Sequence, residues 1–214
     1  MKQFKSRQLP EHIAESGMKS ISAFLDEEEA LQVDNAPWHN AGDLPQVSFS
    51  LAHNHQGVYL KYRVSEKHLL ARYKNINDPV YKDSCVEFFI AFGNEKKYYN
   101  FEFNSLGTAL CGYGEGKTDR LELSIDVVVA INALSTTEHL DAETGLYNWE
   151  LALFFPFSVF EHHNINNLSE QACRVNFYKC GDDLPEPHFL SWSPIAHPYP
   201  EFHLPEQFGS VVFV

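Results

Sequence analysis

The stretch Val58-Tyr59-Leu60-Lys61-Tyr62-Arg63-Val64 decides the fold class. Successive side chains of an extended chain point to opposite faces, so Val58, Leu60, Tyr62 and Val64 share one side and Tyr59, Lys61 and Arg63 the other. The same period of two runs through Val86 to Ala91, where Val86, Phe88 and Ile90 oppose Glu87 and Phe89. In Tyr98 to Asn104, Tyr99, Phe101 and Phe103 oppose Asn100, Glu102 and Asn104, and in Cys173 to Lys179, Cys173, Val175 and Phe177 oppose Arg174, Asn176 and Tyr178. Each stretch predicts a strand with one apolar side.

Further strands are expected at Val47 to Leu51, Ile125 to Ala133, Trp149 to Phe155 and Ser210 to Val214, all short, rich in Val, Ile, Phe and Tyr and bounded by turn residues. Only Glu27 to Leu31 and Phe157 to His162 read as helical. The pattern predicts an all-β chain folded as a two-sheet antiparallel β-sandwich of jelly-roll or immunoglobulin-like type. No segment reads as a linker, so residues 1–214 are expected to form one domain, with a core over 47–214 and an N-terminal extension over 1–46.

If the alternating strands lie in one sheet, its outward face gathers Arg63, Glu87, Asn100, Glu102, Asn104, Arg174, Asn176 and Tyr178. An antiparallel sheet routinely turns a polar side to water. This set is dominated by planar amides, guanidinium groups and carboxylates, which can also make paired hydrogen bonds to neighbouring hydroxyls. Beyond it lies Gly181 to Phe208, which holds six of the 11 prolines together with His188, Phe189, Trp192, Tyr199, Phe202 and His203. Proline excludes most regular structure, so a long proline-rich C-terminal loop is expected, either walling a binding site or covering the sheet.

Composition narrows the partners. With 29 acidic against 16 basic residues the net charge is −13, which disfavours nucleic acid and an anionic membrane surface. There is no run of about 20 apolar residues and no apolar leader, so a cytoplasmic location is expected. Cys85, Cys111, Cys173 and Cys180 lack C-x-x-C spacing and read as free thiols.

Two stretches then carry a family resemblance: Pro79-Val80-Tyr81-Lys82-Asp83-Ser84-Cys85-Val86-Glu87-Phe88-Phe89-Ile90, and Ser191-Trp192-Ser193-Pro194 followed by Phe202-His203-Leu204-Pro205-Glu206-Gln207-Phe208-Gly209. With Asn100 to Asn104 and Trp149-Glu150-Leu151 between them, the chain from Val47 to Val214 resembles the family 9 carbohydrate-binding modules and their DOMON-like relatives. The resemblance implies a β-sandwich that holds a mono- or oligosaccharide between two aromatic rings beside a glutamate. Tyr81 falls at the first ring position, Glu87 at the glutamate, and Phe202, with His203 beside it, at the second ring. Glu102 stands where such modules carry Arg, a departure that implies a ligand other than a simple glucan. Aromatic rings would cover the C–H faces of the sugar, while Glu87, Glu102, Arg174 and Asn176 would meet its hydroxyl rim.

The expected function is therefore non-catalytic binding of a small carbohydrate. The alternatives are a glycosidase using Glu87 and Glu102, or a DOMON-like haem or other small-ligand binder. Against catalysis stand Arg63 and Arg174, expected to keep both carboxylates ionised where a general acid needs a raised pKa. Against haem, Met1 and Met18 lie outside the strands. His53-Asn54-His55 and His162-His163 read as turn residues rather than metal ligands. No cofactor is called for, although the family resemblance implies structural calcium, for which Asp182-Asp183 and Asp141-x-Glu143 are the candidates.

Overall fold

The computed structural model describes residues 1–39, 42–169, 171 and 173–214, with the side chains of all of these except 137 and 138. The chain enters through strand β1 (Gln3–Gln8), then helices α1 (Glu11–Glu15) and α2 (Met18–Glu27). A short β2 (Leu31–Gln32) precedes β3 (Gln46–His53), β4 (Gly57–Glu66), β5 (Cys85–Phe92), β6 (Tyr98–Asn104), β7 (Ala109–Gly114) and β8 (Arg120–Glu122). Helix α3 (Ile125–Val128) leads to β9 (Asn132–Leu140), β10 (Tyr147–Pro156), β11 (Cys173–Cys180), β12 (Phe189–Ser191) and β13 (Gly209–Phe213).

The strands follow one continuous path, β8-β7-β6-β5-β11-β13-β1-β3-β4-β10-β9. Strand β1 is the joint: Gln3 to Ser6 pair with β13, and Arg7 and Gln8 pair with β3. Both pairings are parallel, so the expected wholly antiparallel arrangement is corrected at this strand. The path curls so that the apolar sides of its two halves meet. Phe49 of β3 stacks on Phe177 of β11 with ring centroids 3.7 Å apart, and Phe101 of β6 meets Phe155 of β10 at 4.9 Å. Val58, Leu60, Tyr62, Val86, Phe88, Ile90, Tyr99, Phe103 and Val175 fill the same core, as their alternation requires. Burial of each large apolar side chain contributes about 1.5–3 kcal/mol.

The outer side of the β3–β4–β10 half is covered by α2, which sequence periodicity did not show. Ile21 and Leu25, one helical turn apart, pack on Ala52 and Tyr59. Asp26 closes the contact, 2.7 Å from both Lys61 Nζ and an Arg63 nitrogen, while Glu150 sits 2.7 Å from the same Lys61. The side of Val58 to Val64 that carries Tyr59, Lys61 and Arg63 is thus a helix seat. The helix expected over Glu27 to Leu31 is corrected: at Glu28 the backbone becomes extended, and Leu31 joins the sheet opposite Phe49. The strand expected at Ile125 to Ala133 is also corrected. Ser124 caps α3 by accepting from Val127 N, and Asp126 lies in the first turn, where negative charge favours a helix.

Outside the β5–β6–β11 half lies a second apolar layer. Phe89, Tyr98 and Tyr178 point away from the main core and are covered by Ile195, Phe202 and Phe208. These three come from the proline-containing segment, whose only regular pieces among the described residues are β12 and a 3-10 turn at Pro205–Gln207.

Candidate functional site

Between this half and the covering segment opens a cavity of about 350 Å³. Alternation aims Glu87 of β5, Asn100 and Glu102 of β6, Leu110 of β7 and Cys180 of β11 into it. Tyr81 and Asp182 border it, Phe189, Pro200, Glu201, Phe202 and His203 enter from the covering segment, and Lys117, Arg120 and Glu122 come from the β7–β8 hairpin.

Tyr81 is placed by the buried residues that follow it. Asp83 accepts from Arg72 N, Tyr73 N and Asn104 Nδ2, while Ser84 Oγ accepts from Leu70 N, so the loop before β5 is pinned to the sheet. Phe202 is 8% exposed and stacks on Tyr178 with centroids 4.2 Å apart, leaving little of its ring open. His203 Nδ1 shares a 2.7 Å hydrogen bond with the Tyr98 hydroxyl. Burial, then the nearby Arg120 and Lys117, push the His203 pKa down to about 2, so the imidazole is neutral.

Tyr81, Glu87, Glu102, Phe202 and His203 therefore meet at one cavity, whereas Arg174 and Asn176 do not line it. Arg174 donates to the carbonyls of Gly93, Glu95 and Pro205 and ties the covering segment to the sheet edge. Asn176 Oδ1 accepts from Ser193 N and its Nδ2 donates to Ser193 O, fixing the Ser191-Trp192-Ser193 run. Arg63 lies beneath α2 in the other half. Neither Arg63 nor Arg174 thus neighbours the two glutamates, and the expectation that these arginines keep both carboxylates ionised is corrected. Burial, reinforced by Cys180 and Glu102, raises the Glu87 pKa well above the carboxylate range. Glu102 is pushed up to about 7 by burial, against the opposing pull of its Asn100 hydrogen bond and of Arg120.

Sequence reading missed Arg120. Its Nε donates to Gly116 O at 3.1 Å and its guanidinium lies 5.2 Å from the centre of the Tyr98 ring. Glycines make room for it. A Cβ on Gly112 would come within 2.8 Å of Asn100 Oδ1, and one on Gly114 within 2.8 Å of the Arg120 Cβ. The signal was the run Gly112-Tyr113-Gly114-Glu115-Gly116, whose glycines mark close backbone approach. Buried atoms without a hydrogen-bond partner among the described residues concentrate here: Arg120 Nη1 and Nη2, Asn100 Oδ1 and Glu102 Oε2. Orphaned buried polar groups are costly, at about 1–3 kcal/mol each, and four of them lining one cavity form a set of donors and acceptors shaped for a polar guest.

The metal candidates divide by chemistry. Asp183 is held by Arg72 at 2.7 Å, and Asp141 Oδ1 accepts from Glu143 N and Thr144 N in a tight turn. Both carboxylates are thus already engaged, and neither acidic loop forms a group of three or more converging carboxylate, His or Cys side chains among the described residues, so these side chains do not fit an ion that wants several carboxylate oxygens. Cys85, Glu87 and Cys180 do converge, with ligand atoms within 4.8 Å of one another, but Cys180 Sγ already donates to Glu87 Oε1 at 3.0 Å. Burial pushes the Cys85 thiol up to about 12 and Cys180 well above its usual range, so both stay protonated. All four cysteines are free and buried. His53 shares a hydrogen bond with Ser6, and His163 with Tyr99. No helix among the described residues is long and apolar enough to cross a membrane.

The profile of a family described as carbohydrate-binding family 9 matches residues 20–213. A solved structure from Bacteroides uniformis, provisionally described as a carbohydrate-binding protein, is 33% identical, covers 100% of this chain and 99% of its own, and superposes with a TM-score of 0.90. A family 9 carbohydrate-binding module from Caldicellulosiruptor kristjanssonii in complex with cellotriose has 11% identity, 99% and 93% coverage and a TM-score of 0.59. A module from the same organism in complex with glucose gives 12%, 100% and 96%, and 0.58. At these identities the Caldicellulosiruptor modules share the fold. No curated protein matches the chain.

Proposed function

The chain belongs to carbohydrate-binding family 9, and from that premise we propose that the cavity beside β5, β6 and β7 holds a small carbohydrate without transforming it. The observation that carries the proposal is the orphaned set of Arg120 Nη1 and Nη2, Asn100 Oδ1 and Glu102 Oε2. A sugar offers hydroxyls that both donate and accept, so two donors and two acceptors on one wall suit a pair of neighbouring hydroxyls. Tyr81, the partly open edge of Phe202, Leu110 and Phe189 supply apolar cover for the ring. Arg174 and Asn176 serve by holding the covering segment in place, and His203 remains as a neutral hydrogen-bonding group.

The raised carboxyl of Glu102 would suit an acid catalyst, which keeps hydrolysis as the second reading. A glycosidase places its two carboxyl groups on either side of the scissile bond. Glu87 and Glu102 are instead directly opposed neighbours on adjacent strands, on one side of the cavity. Binding without turnover is the reading that this arrangement supports.

Isothermal titration of the purified chain against a panel of neutral, amino and acidic mono- and disaccharides, beside an assay with aryl glycosides, tests the proposal. Saturable binding of at least one sugar with no turnover is expected. No binding of any member at millimolar concentration overturns it, and so does turnover that disappears in both Glu87→Gln and Glu102→Gln.

A further inference from the structure

We propose that the cavity selects an acidic sugar, a pyranose bearing a carboxylate, which Arg120 binds through both terminal nitrogens with Lys117 at the rim. This rests on the carbohydrate-binding reading and names the ligand class of the same site.

The other enclosed cations among the described residues all have partners. Lys179 is fully buried and stands 2.8 Å from Glu66 Oε2. Lys61, also buried, meets both Asp26 and Glu150 at 2.7 Å, and the half-buried Arg63 meets Asp26 at 2.7 Å. Arg174 meets no carboxylate among the described residues but donates to three backbone carbonyls. Arg120 is different. Its Nη1 and Nη2 are both enclosed and make no well-aligned hydrogen bond to a described residue, its near contacts being the Tyr98 hydroxyl and, at longer range, the largely neutral Glu102. A guanidinium presents its two terminal nitrogens as a planar fork that matches the two oxygens of a carboxylate. An enclosed cation lacking its counter-charge is costly, and a ligand carboxylate removes that cost where a neutral hydroxyl pair does so only in part.

The carboxyl groups of the cavity do not oppose this assignment. Glu87 and Glu102, the nearest in the sheet, are both shifted toward the neutral acid by burial, and Glu102 Oε2 remains to meet a ring hydroxyl. Asp182 at the border is likewise raised by burial and has Lys117 nearby, Glu201 Oε1 is engaged by His203 N, and Glu122 is exposed at the outer edge of the hairpin. Asn100 Oδ1 accepts from a further hydroxyl, so the carboxylate end of the sugar lies toward Arg120 and its hydroxyl rim toward β6.

The test is isothermal titration of the full chain at pH 6, below the Glu102 pKa of about 7, and low salt with matched pairs: glucuronate and glucose, galacturonate and galactose, and each uronate against its methyl ester. At least one uronate is expected to bind tenfold or more tightly than both its neutral counterpart and its methyl ester, and Arg120→Gln is expected to abolish that preference. The ester comparison uses the parent protein, so it decides the matter even where Arg120→Gln folds poorly. Equal or tighter binding of the neutral sugar or of the methyl ester overturns this inference while leaving carbohydrate binding intact. If no sugar binds at all, both fall.

Discussion

Glu87 and Glu102 face each other as a directly opposed pair on β5 and β6, both buried, and the charge of Arg120 pulls on Glu102. A carboxyl whose pKa is raised in the folded state, here to about 7 for Glu102 against roughly 4.3 in an unfolded chain, stabilises the fold fully at low pH. That contribution is lost as pH rises through about 7. His188 and His203, with pKa values held near 2 by burial, act oppositely: their contribution is present above about 6.5 and is lost as pH falls. Glu102→Gln removes one term and leaves the others. Its melting temperature relative to the parent should rise between pH 4.5 and pH 8 by about 3 °C or more, measured by thermal denaturation across that range. A constant difference would contradict the raised pKa.

The glycines beside Arg120 offer a second measurement. Gly112→Ala would bring a methyl group within 2.8 Å of Asn100 Oδ1 and within 3.4 Å of the Arg120 side chain. The expected outcome is weaker binding of whichever sugar the titration identifies, by about tenfold, or roughly 1.4 kcal/mol, with the β circular dichroism spectrum retained. Unchanged affinity would show that Asn100 and Arg120 do not touch the ligand.

The two rings should separate. Tyr81 is partly open at the cavity edge, so Tyr81→Ala is expected to weaken binding by about 1–3 kcal/mol with little loss of stability. Phe202 is packed against Tyr178, so Phe202→Ala should lower the melting temperature as well as the affinity, at about 3–5 kcal/mol of stability for a buried Phe. Calorimetry and chemical denaturation on both variants make the comparison.

A fourth outcome concerns a contact between the halves of the sheet. Lys179 of β11 pairs with Glu66 of β4, whose other oxygen accepts from Trp149 Nε1 at 2.7 Å, and His188 Nε2 lies 2.8 Å from Lys179 Nζ. Lys179→Met leaves the Glu66 carboxylate buried without a cation and is expected to cost about 3–5 kcal/mol in urea unfolding. Lys179→Met with Glu66→Gln should recover part of that loss, because no uncompensated charge then remains. A double variant as unstable as the single would place the cost in packing.

Alternation alone determined much of this protein. In Val58 to Val64, Val86 to Ala91, Tyr98 to Asn104 and Cys173 to Lys179, the strands and their core-facing side chains follow from the residues, because side-chain direction in an extended chain is a local property. The aromatic and acidic positions carried by family resemblance brought Tyr81, Glu87, Phe202 and His203 to one cavity, and alternation added Glu102. Which sheet half each strand joined was not local. The outward side of Val58 to Val64 seats α2 and that of Val86 to Ala91 meets the cavity, so Arg63 and Glu87, alike in pattern, ended on opposite halves. The same limit hid Arg120: the glycines of Gly112 to Gly116 mark a close backbone approach but not what approaches, and only the pairing of β8 with β7 brings the guanidinium over Tyr98 and encloses its two terminal nitrogens. Arg174 and Asn176 had the composition of ligand residues but met backbone carbonyls and amides first, since a buried polar side chain takes whatever partner the tertiary fold sets within reach.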